Sequence, residues 1–516
     1  MARRFSTKKH KKLGLWLRRA LAALLVLAQV VFLGFVVIRS SVTFRIANAI
    51  LQIIGAVIAL RIIVKPGNAG YKFMWVLSVV LFPIFGVPFY ILSCLPNATK
   101  YFGKAITRIE KSRKQEFSLL PSALESACEK APDAVLPMSY LQRCAGFPVY
   151  DDTSVMYFSP GETFHEALLA ELEKAERYIF LEYFIINEGK MWDSILAVLK
   201  RKAEAGVKVR VLYDEIGCFL TLPVKYPKML AEYGIECCKF NRFVPFLSTH
   251  QNNRDHRKIA VVDGKVAFTG GINLADEYIN AYEKHGHWKD SGVLCRGSAA
   301  WSFTVMFLEM WEFAARQKED YTAYLPRESD TPTHADGYVQ PYADSPMDAD
   351  HVGKHVYLHM IHRAKRYLYI CTPYLILDDT LVSALKLSAK SGVDVRIITP
   401  HKWDKWAVHL TTRSYYAELI DAGVQIYEYT NGFMHSKTFV SDDSTATVGT
   451  TNLDYRSLYL HFECGVLLQG CDAVLQVRDD FLRTLDVCQP ITREMCKRGL
   501  LTRVLQGVLR LFAPLM

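Results

Sequence analysis

The chain has 516 residues, too many for one ordinary core, so two or three domains are expected. Its formal charge of +10 suits a polyanionic partner such as a phosphate-rich membrane surface, phospholipid headgroups or nucleic acid. Hydrophobic residues make up 51% of the chain, enough to exclude a core-poor chain. Twelve cysteines show no CxxC pair or regular spacing, which argues against a disulfide framework and for reduced, mostly buried thiols.

Residues 1–19 are strongly basic (Arg3, Arg4, Lys8, Lys9, Lys11, Lys12, Arg18, Arg19) and precede an uncharged apolar run over 20–38. At about 1.5 Å per residue such a run nearly matches a bilayer core. It is longer than the apolar part of a usual signal peptide, and more apolar runs follow, so an anchor is preferred. These are 46–64, interrupted by Arg61, and 73–94, carrying Pro83, Gly86 and Pro88. A membrane anchor of two to three hydrophobic helices is expected over 1–98, in a multi-pass protein of the cell membrane. Cations flank the region on both sides (Lys100, Lys104, Arg108 follow it), which places the catalytic part on the cytoplasmic face. Two ends on one side require an even number of crossings, so one of the three runs is expected to be re-entrant or interfacial.

A helical connector is expected over 99–135, and an α/β pattern begins near 136. The spacing predicts helix 163–177, strand 178–186, helix 192–205 and strand 207–213, replayed as helix 351–363, strand 367–374, helix 380–391 and strand 393–399. The helix-to-strand turns match as well: AEAGVKVRVL (203–212) and AKSGVDVRII (389–398). The two halves are thus 136–330 and 351–495, joined by a linker at 331–350. The tail 496–516 reads as a basic amphipathic helix that either packs on the domain or lies in a headgroup plane.

Each half carries one copy of a motif. HRKIAVVDGKVAFTGGIN (256–273) and HSKTFVSDDSTATVGTTN (435–452) share His, then Lys two places on, Asp seven on, Gly fourteen on and Asn seventeen on. A neutral His is a nucleophile, a protonated one a general acid, and two in one site can divide those roles. With Lys258, Lys437, Asn273 and Asn452 as fixed donors, His256 and His435 suit an oxyanion-rich centre, above all a phosphodiester. Asp263 and Asp442 belong to the same motif set. Each ends an apolar strand away from the His face, however, and reads as a salt-bridge or turn residue. HWKDSGV (287–293) echoes HFECGV (461–466), so Asp290 and Glu463 are candidates to orient the histidines. No metal or other cofactor is expected, because the lysines would repel a divalent ion. His351, His355, His359 and His362 lie at helical spacing but read as surface or interface residues. There is no P-loop and no dinucleotide-binding glycine fingerprint.

These residues resemble the phospholipase D superfamily, with its paired HKD motifs. NRDHRKIAVVDGKVAFTGGINLADEY (253–278) and GFMHSKTFVSDDSTATVGTTNLDYRSLYLHFE (432–463) are similar to its bacterial cardiolipin synthase branch. So are the hydrophobic stretch 70–92 and the terminal VLRLFAPLM. The resemblance implies an α/β fold: two similar sandwich halves with pseudo-twofold symmetry and one site between them, behind an N-terminal transmembrane region. It implies that two phosphatidylglycerols give cardiolipin and glycerol through a phosphatidyl-histidine, one His attacking and the other serving as acid/base. His256 is taken as the nucleophile and His435 as acid/base, although the symmetric motifs leave the order of the two open. Lys258, Lys437, Asn273 and Asn452 would hold the phosphate. The partners implied are phosphatidylglycerol and other anionic membrane lipids rather than nucleic acid. The sequence departs from the family at His461, where Asn is expected, and this bears on acceptor selection. The competing class is a membrane-bound phospholipase D or other phosphodiesterase of the same fold.

Overall fold

The structure is a computed structural model that describes residues 42–93, 96–241, 249–327, 335–348 and 350–516. The basic N-terminus and the apolar run 20–38 lie outside the described residues. The chain divides into two units, the first formed mainly by residues 1–101 and the second by most of 102–514.

In the first unit, helices Val42–Val64, Ala69–Leu81 and Pro83–Ser93 pack around Ala59, Val79 and Val87. Gly86 lies against the Ser78 and Val79 backbone, where a Cβ would clash. The expected run 73–94 is therefore two helices, broken where Pro83 disfavours helical geometry at Phe82. Ile53, Val57, Leu60 and Ile63 face outward. Even so, among the described residues no helix is long and apolar enough to cross a membrane.

The second unit holds two similar sheets. The first half contributes β1 (Ser154–Phe158), β2 (Tyr178–Tyr183), β3 (Lys208–Asp214), β4 (Glu236–Phe240), β5 (Lys258–Val262), β6 (Val266–Gly270), β7 (His287–Lys289) and β8 (Gly292–Arg296). The second half contributes β9 (Tyr338–Asp344), β10 (Tyr367–Cys371), β11 (Asp394–Pro400), β12 (Gln425–Tyr429), β13 (Gly432–Met434), β14 (Thr438–Ser441), β15 (Thr445–Gly449), β16 (Glu463–Gln469) and β17 (Cys488–Pro490). The sheet orders are β1-β8-β6-β5-β2-β3-β4 and β17-β12-β11-β10-β14-β15-β16-β9, which superimpose apart from β17. In each half the parallel trio (β2, β3, β4 or β10, β11, β12) adjoins the antiparallel hairpin that carries the motif.

One core joins the halves. Phe180, Val261 and Val293 of the first sheet share it with Tyr342, Val440 and Val466 of the second. Helix Ala299–Ala315, every residue of which is buried from Ala299 to Trp311, fills this layer. It is apolar all round, so no amphipathic period betrays it in the sequence. The segment expected as a linker at 331–350 instead holds β9, fully buried against β16. Its alternating polar residues (Gln340, Asp344) mask its hydrophobic pattern. Gln340 Nε2 donates to the carbonyls of Met138 and Phe147, and Asp344 caps the next helix through the Val352 and Gly353 amides.

Candidate active site

Both motif histidines lie just before a hairpin, and at both places the backbone crosses from one half to the other. Strand β7 pairs in parallel with β13, and the His435 amide donates to the Lys289 carbonyl at 2.7 Å. The counterpart is a parallel bridge between Asp255 and Phe462, with the His256 amide donating to the Phe462 carbonyl at 2.9 Å. Each pairing carries the next residue of the opposite half, a carboxylate, against the histidine. His256 Nδ1 is 2.9 Å from both Glu463 carboxylate oxygens, and His435 Nδ1 is 2.6 Å from Asp290 Oδ2. The histidine of each half is thus oriented by the acid of the other. A carboxylate on Nδ1 holds the proton there and leaves Nε2 as the basic nitrogen.

The motif glycines permit this closeness. Gly270 pairs with Gly292 and Gly449 with Gly465, and a Cβ on Gly270 would strike the Ser291 carbonyl. Beside it, a Cβ on Gly271 would strike the Asp290 carboxylate itself.

Lys258 begins β5 and Lys437 immediately precedes β14, and both turn back on their histidines. Lys258 Nζ donates to the His256 carbonyl at 2.6 Å; Lys437 Nζ donates to the His435 carbonyl and lies 2.8 Å from His435 Nδ1. Asn273 Oδ1 accepts from the Ile185 amide at 3.0 Å, and its Nδ2 donates to Tyr278 Oη at 2.8 Å. One Asn273 N–H is left for a ligand. Asn452 is buried, and its Oδ1 has no hydrogen-bond partner among the described residues.

Burial depresses every base in the site, and neighbouring cations add to it at His256, His435 and Lys437. His256 lies well below the ordinary histidine value, first through burial and then through Lys258, Lys437, His435 and Lys405. Burial and Lys437 bring His435 down to about 4, against the upward pull of Asp290. Burial lowers Lys258 to about 8 and Lys437 to about 7, opposed by Glu463 and Asp290 respectively. Two neutral imidazoles beside two crowded ammonium groups form a site that an anion would relieve.

Residues 168–291 and 357–485 match the family described as cardiolipin synthase, PLD-like domain, and residues 50–93 match a phospholipase D–nuclease N-terminal family. A cardiolipin synthase from a Geobacillus species is 35% identical over 89% of this chain and 91% of its own. The chain belongs to the cardiolipin synthase family of phospholipase-D-like proteins. An uncharacterized Streptococcus mutans protein is 43% identical over 86% of this chain and 96% of its own. The phosphatidylserine synthase of Haemophilus influenzae shares the fold, with a TM-score of 0.52 and 14% identity over 70% of this chain and 93% of its own.

The third letter of this family's motif is placed apart from the other two. Asp263 and Asp442 adopt positive φ (54° and 56°) at the hairpin turns after β5 and β14. Each carboxylate accepts three backbone amides, from Glu176, Arg177 and Tyr178 in one half and from Lys365, Arg366 and Tyr367 in the other. They tie the motif hairpin to the start of the adjacent parallel strand. Asp263→Ala should therefore cost about 2–4 kcal/mol in denaturant unfolding, for three amides left without a partner. Protein that remains folded should keep a KM close to that of the wild type.

Aromatic walls were not legible in the sequence. Phe184 packs on His256 at 5.0 Å between ring centroids; Trp288 and Tyr278 pack on His435 at 5.1 and 5.4 Å. The one available signal for any of them is Trp288, two residues before Asp290 in HWKDSGV (287–293). Thr450 donates its hydroxyl to Glu463 and helps fix it. His461 lies 5.5 Å from His256 between rings and 3.7 Å from Glu463, and burial brings it down to about 3. Among the described residues, His256, His461 and Glu463 alone bring three metal-type ligand atoms together. Lys258 and Lys437 set a cationic field there that disfavours a divalent ion. The helical histidines do not converge: His355 Nδ1 bonds Tyr140 Oη at 2.6 Å, and His351 packs on Tyr459.

Proposed function

We propose that the protein is a cardiolipin synthase that transfers a phosphatidyl group from one phosphatidylglycerol to another. The crossed histidine–carboxylate pairs flanked by two lysines carry this reading. His256 Nε2 attacks phosphorus of the first lipid and the bond to the headgroup glycerol breaks, with His435 giving its proton to the departing oxygen. His435 then takes the proton from the glycerol hydroxyl of the second lipid. The resulting oxygen attacks phosphorus, the P–N bond breaks, and His256 is restored. The main influences on His256 all keep it unprotonated, as a nucleophile requires, whereas Asp290 pulls His435 back towards carrying a proton. Lys258, Lys437, Asn273 and Asn452 donate to the phosphate oxygens, and the bound anion raises the proton affinity of His435. The N-terminal hydrophobic segments anchor the enzyme in the cell membrane with the catalytic unit on the cytoplasmic face. The outward apolar side chains of the described helices support contact with the membrane, and the cations on both flanks of the region support the cytoplasmic side. Phospholipase D hydrolysis is the alternative, in which water takes the place of the second lipid.

Purified protein given phosphatidylglycerol alone should yield cardiolipin and glycerol; phosphatidic acid and glycerol would instead mark a hydrolase. The pH profile follows from the same groups. The acid limb of kcat/KM should fall below the ordinary histidine value of about 6.5, since His256 stays neutral until then. On the alkaline side the loss of the His435 proton already lowers kcat/KM from a low pH, and a further decline should set in near pH 7–8, where Lys437 (about 7) and Lys258 (about 8) lose the protons that hold phosphate. A kcat/KM with no such further decline up to about pH 9 would contradict this role for the lysines.

A further inference from the structure

Helix Leu500–Leu511 is mounted inside out. Its polar side faces the protein: Gln506 Nε2 donates to the Leu410 carbonyl at 3.3 Å, and Arg510 reaches Glu418 Oε2 at 2.9 Å and covers the Tyr415 ring at 4.1 Å. All three partners belong to the supporting helix Trp406–Ile420. The apolar side points away, with Leu501, Val504 and Val508 exposed by 83, 56 and 46%. A helix of a soluble domain buries that stripe.

The loop before the supporting helix extends the same face. His401 and Gln506 line one cavity of about 330 Å³, so the loop and the terminal helix are neighbours. Beyond His401, Trp403 and Trp406 are each 52% exposed, and Lys402 and Lys405 are exposed beside them. Asp404 is turned inward and accepts from Tyr374 Oη at 2.6 Å, which fixes the loop to the body of the unit. The loop is close enough to the site for the Lys405 charge to reach His256.

Charge selects the occupant. From 495 to 516 the chain carries no acidic side chain; of its four cations Arg510 is turned inward to Glu418 and Lys497 pairs with Glu494, while Arg498 and Arg503 are exposed beside the stripe. An apolar stripe flanked only by cations, beside paired tryptophans, is complementary to the anionic headgroup layer of a bilayer. We propose that the outward face of helix Leu500–Leu511 and the Trp403–Trp406 loop together seat the catalytic unit on an anionic lipid surface. This second membrane contact holds the active-site side of the unit at the depth of the lipid phosphates. It rests on the phospholipid reading of the site.

The full-length protein reconstituted in phosphatidylglycerol–phosphatidylcholine vesicles with brominated acyl chains tests it. With Trp16 and Trp75 of the N-terminal segments replaced by Phe as a background, shallow bromine should quench tryptophan emission, and W403F/W406F should lose most of that quenched share. In a second arm, L501E/V504E/V508E should make cardiolipin from vesicles at least about tenfold more slowly, yet use monomeric short-chain phosphatidylglycerol at the wild-type rate. Equal quenching with and without W403F/W406F in that background would overturn the proposal. So would equal loss on both substrates, or a detergent-solubilised wild-type dimer that L501E/V504E/V508E splits, which would make the face a seam between copies. A wild type that quenched as expected but made no cardiolipin from either substrate would refute the phosphatidyl-transfer reading while leaving the docking face standing.

Discussion

Alanine at His256 is expected to lower cardiolipin formation by at least about 10⁴-fold, a barrier increase of roughly 5.5 kcal/mol, because no other group can form the covalent intermediate. Alanine at His435 should be nearly as damaging with the natural substrate, whose glycerol leaves poorly without a proton. The two variants should part company when the leaving group needs no acid. With a phosphatidyl nitrophenyl ester, the His435→Ala protein should release about one equivalent of nitrophenol and then stall as the phosphatidyl-enzyme, whereas His256→Ala should release none. The reverse pattern would exchange the two roles. Full activity in either variant would remove that histidine from the reaction and with it the two-histidine mechanism.

The second large effect crosses between the halves. Glu463→Gln should slow transfer by about 10²–10⁴-fold, although Glu463 touches no substrate. Its two oxygens accept from His256 Nδ1 and the Thr450 hydroxyl in a fully buried place. A glutamine amide can offer a donor to Nδ1 and so move the imidazole proton to Nε2, the atom that must attack. Labelled-histidine NMR should report that change of tautomer at His256 and none at His435. Asp290→Asn should do the converse: with the nitrophenyl ester it should still form the intermediate, and it should fail to pass it on to an alcohol. If Glu463→Gln disturbed both histidines equally, the crossed pairing would not govern the chemistry.

Much of the site was legible because its chemistry demands particular residues at fixed offsets within one hairpin. His256, Lys258 and Gly270 repeat as His435, Lys437 and Gly449, and the hairpin is local enough for spacing to survive in the sequence. The α/β order of each half was readable for the same reason, from helices and strands that alternate over short distances. Helix Ala299–Ala315 escaped notice because a segment buried on every side shows no period. The segment of strand β9 has the composition of a linker, because acids and prolines in and around it outweigh its buried positions. The first expected anchor run lies outside the described residues, and the third is broken into two helices at Pro83.

The sequence by itself determined the inventory of the site: two histidines, two lysines, two carboxylates, and a phosphodiester as the fitting substrate. Only the tertiary structure decided how they are matched. Glu463 serves a histidine 207 residues away and Asp290 one 145 residues away, through parallel backbone pairings between the halves. No local pattern encodes such a pairing, since it exists only once the two sheets close on their shared core. The tertiary structure supplied the three backbone amides that Asp263 and Asp442 each bind, at turns already legible in the sequence. It also set the polar side of helix Leu500–Leu511 inward, a choice between two faces that periodicity alone leaves open.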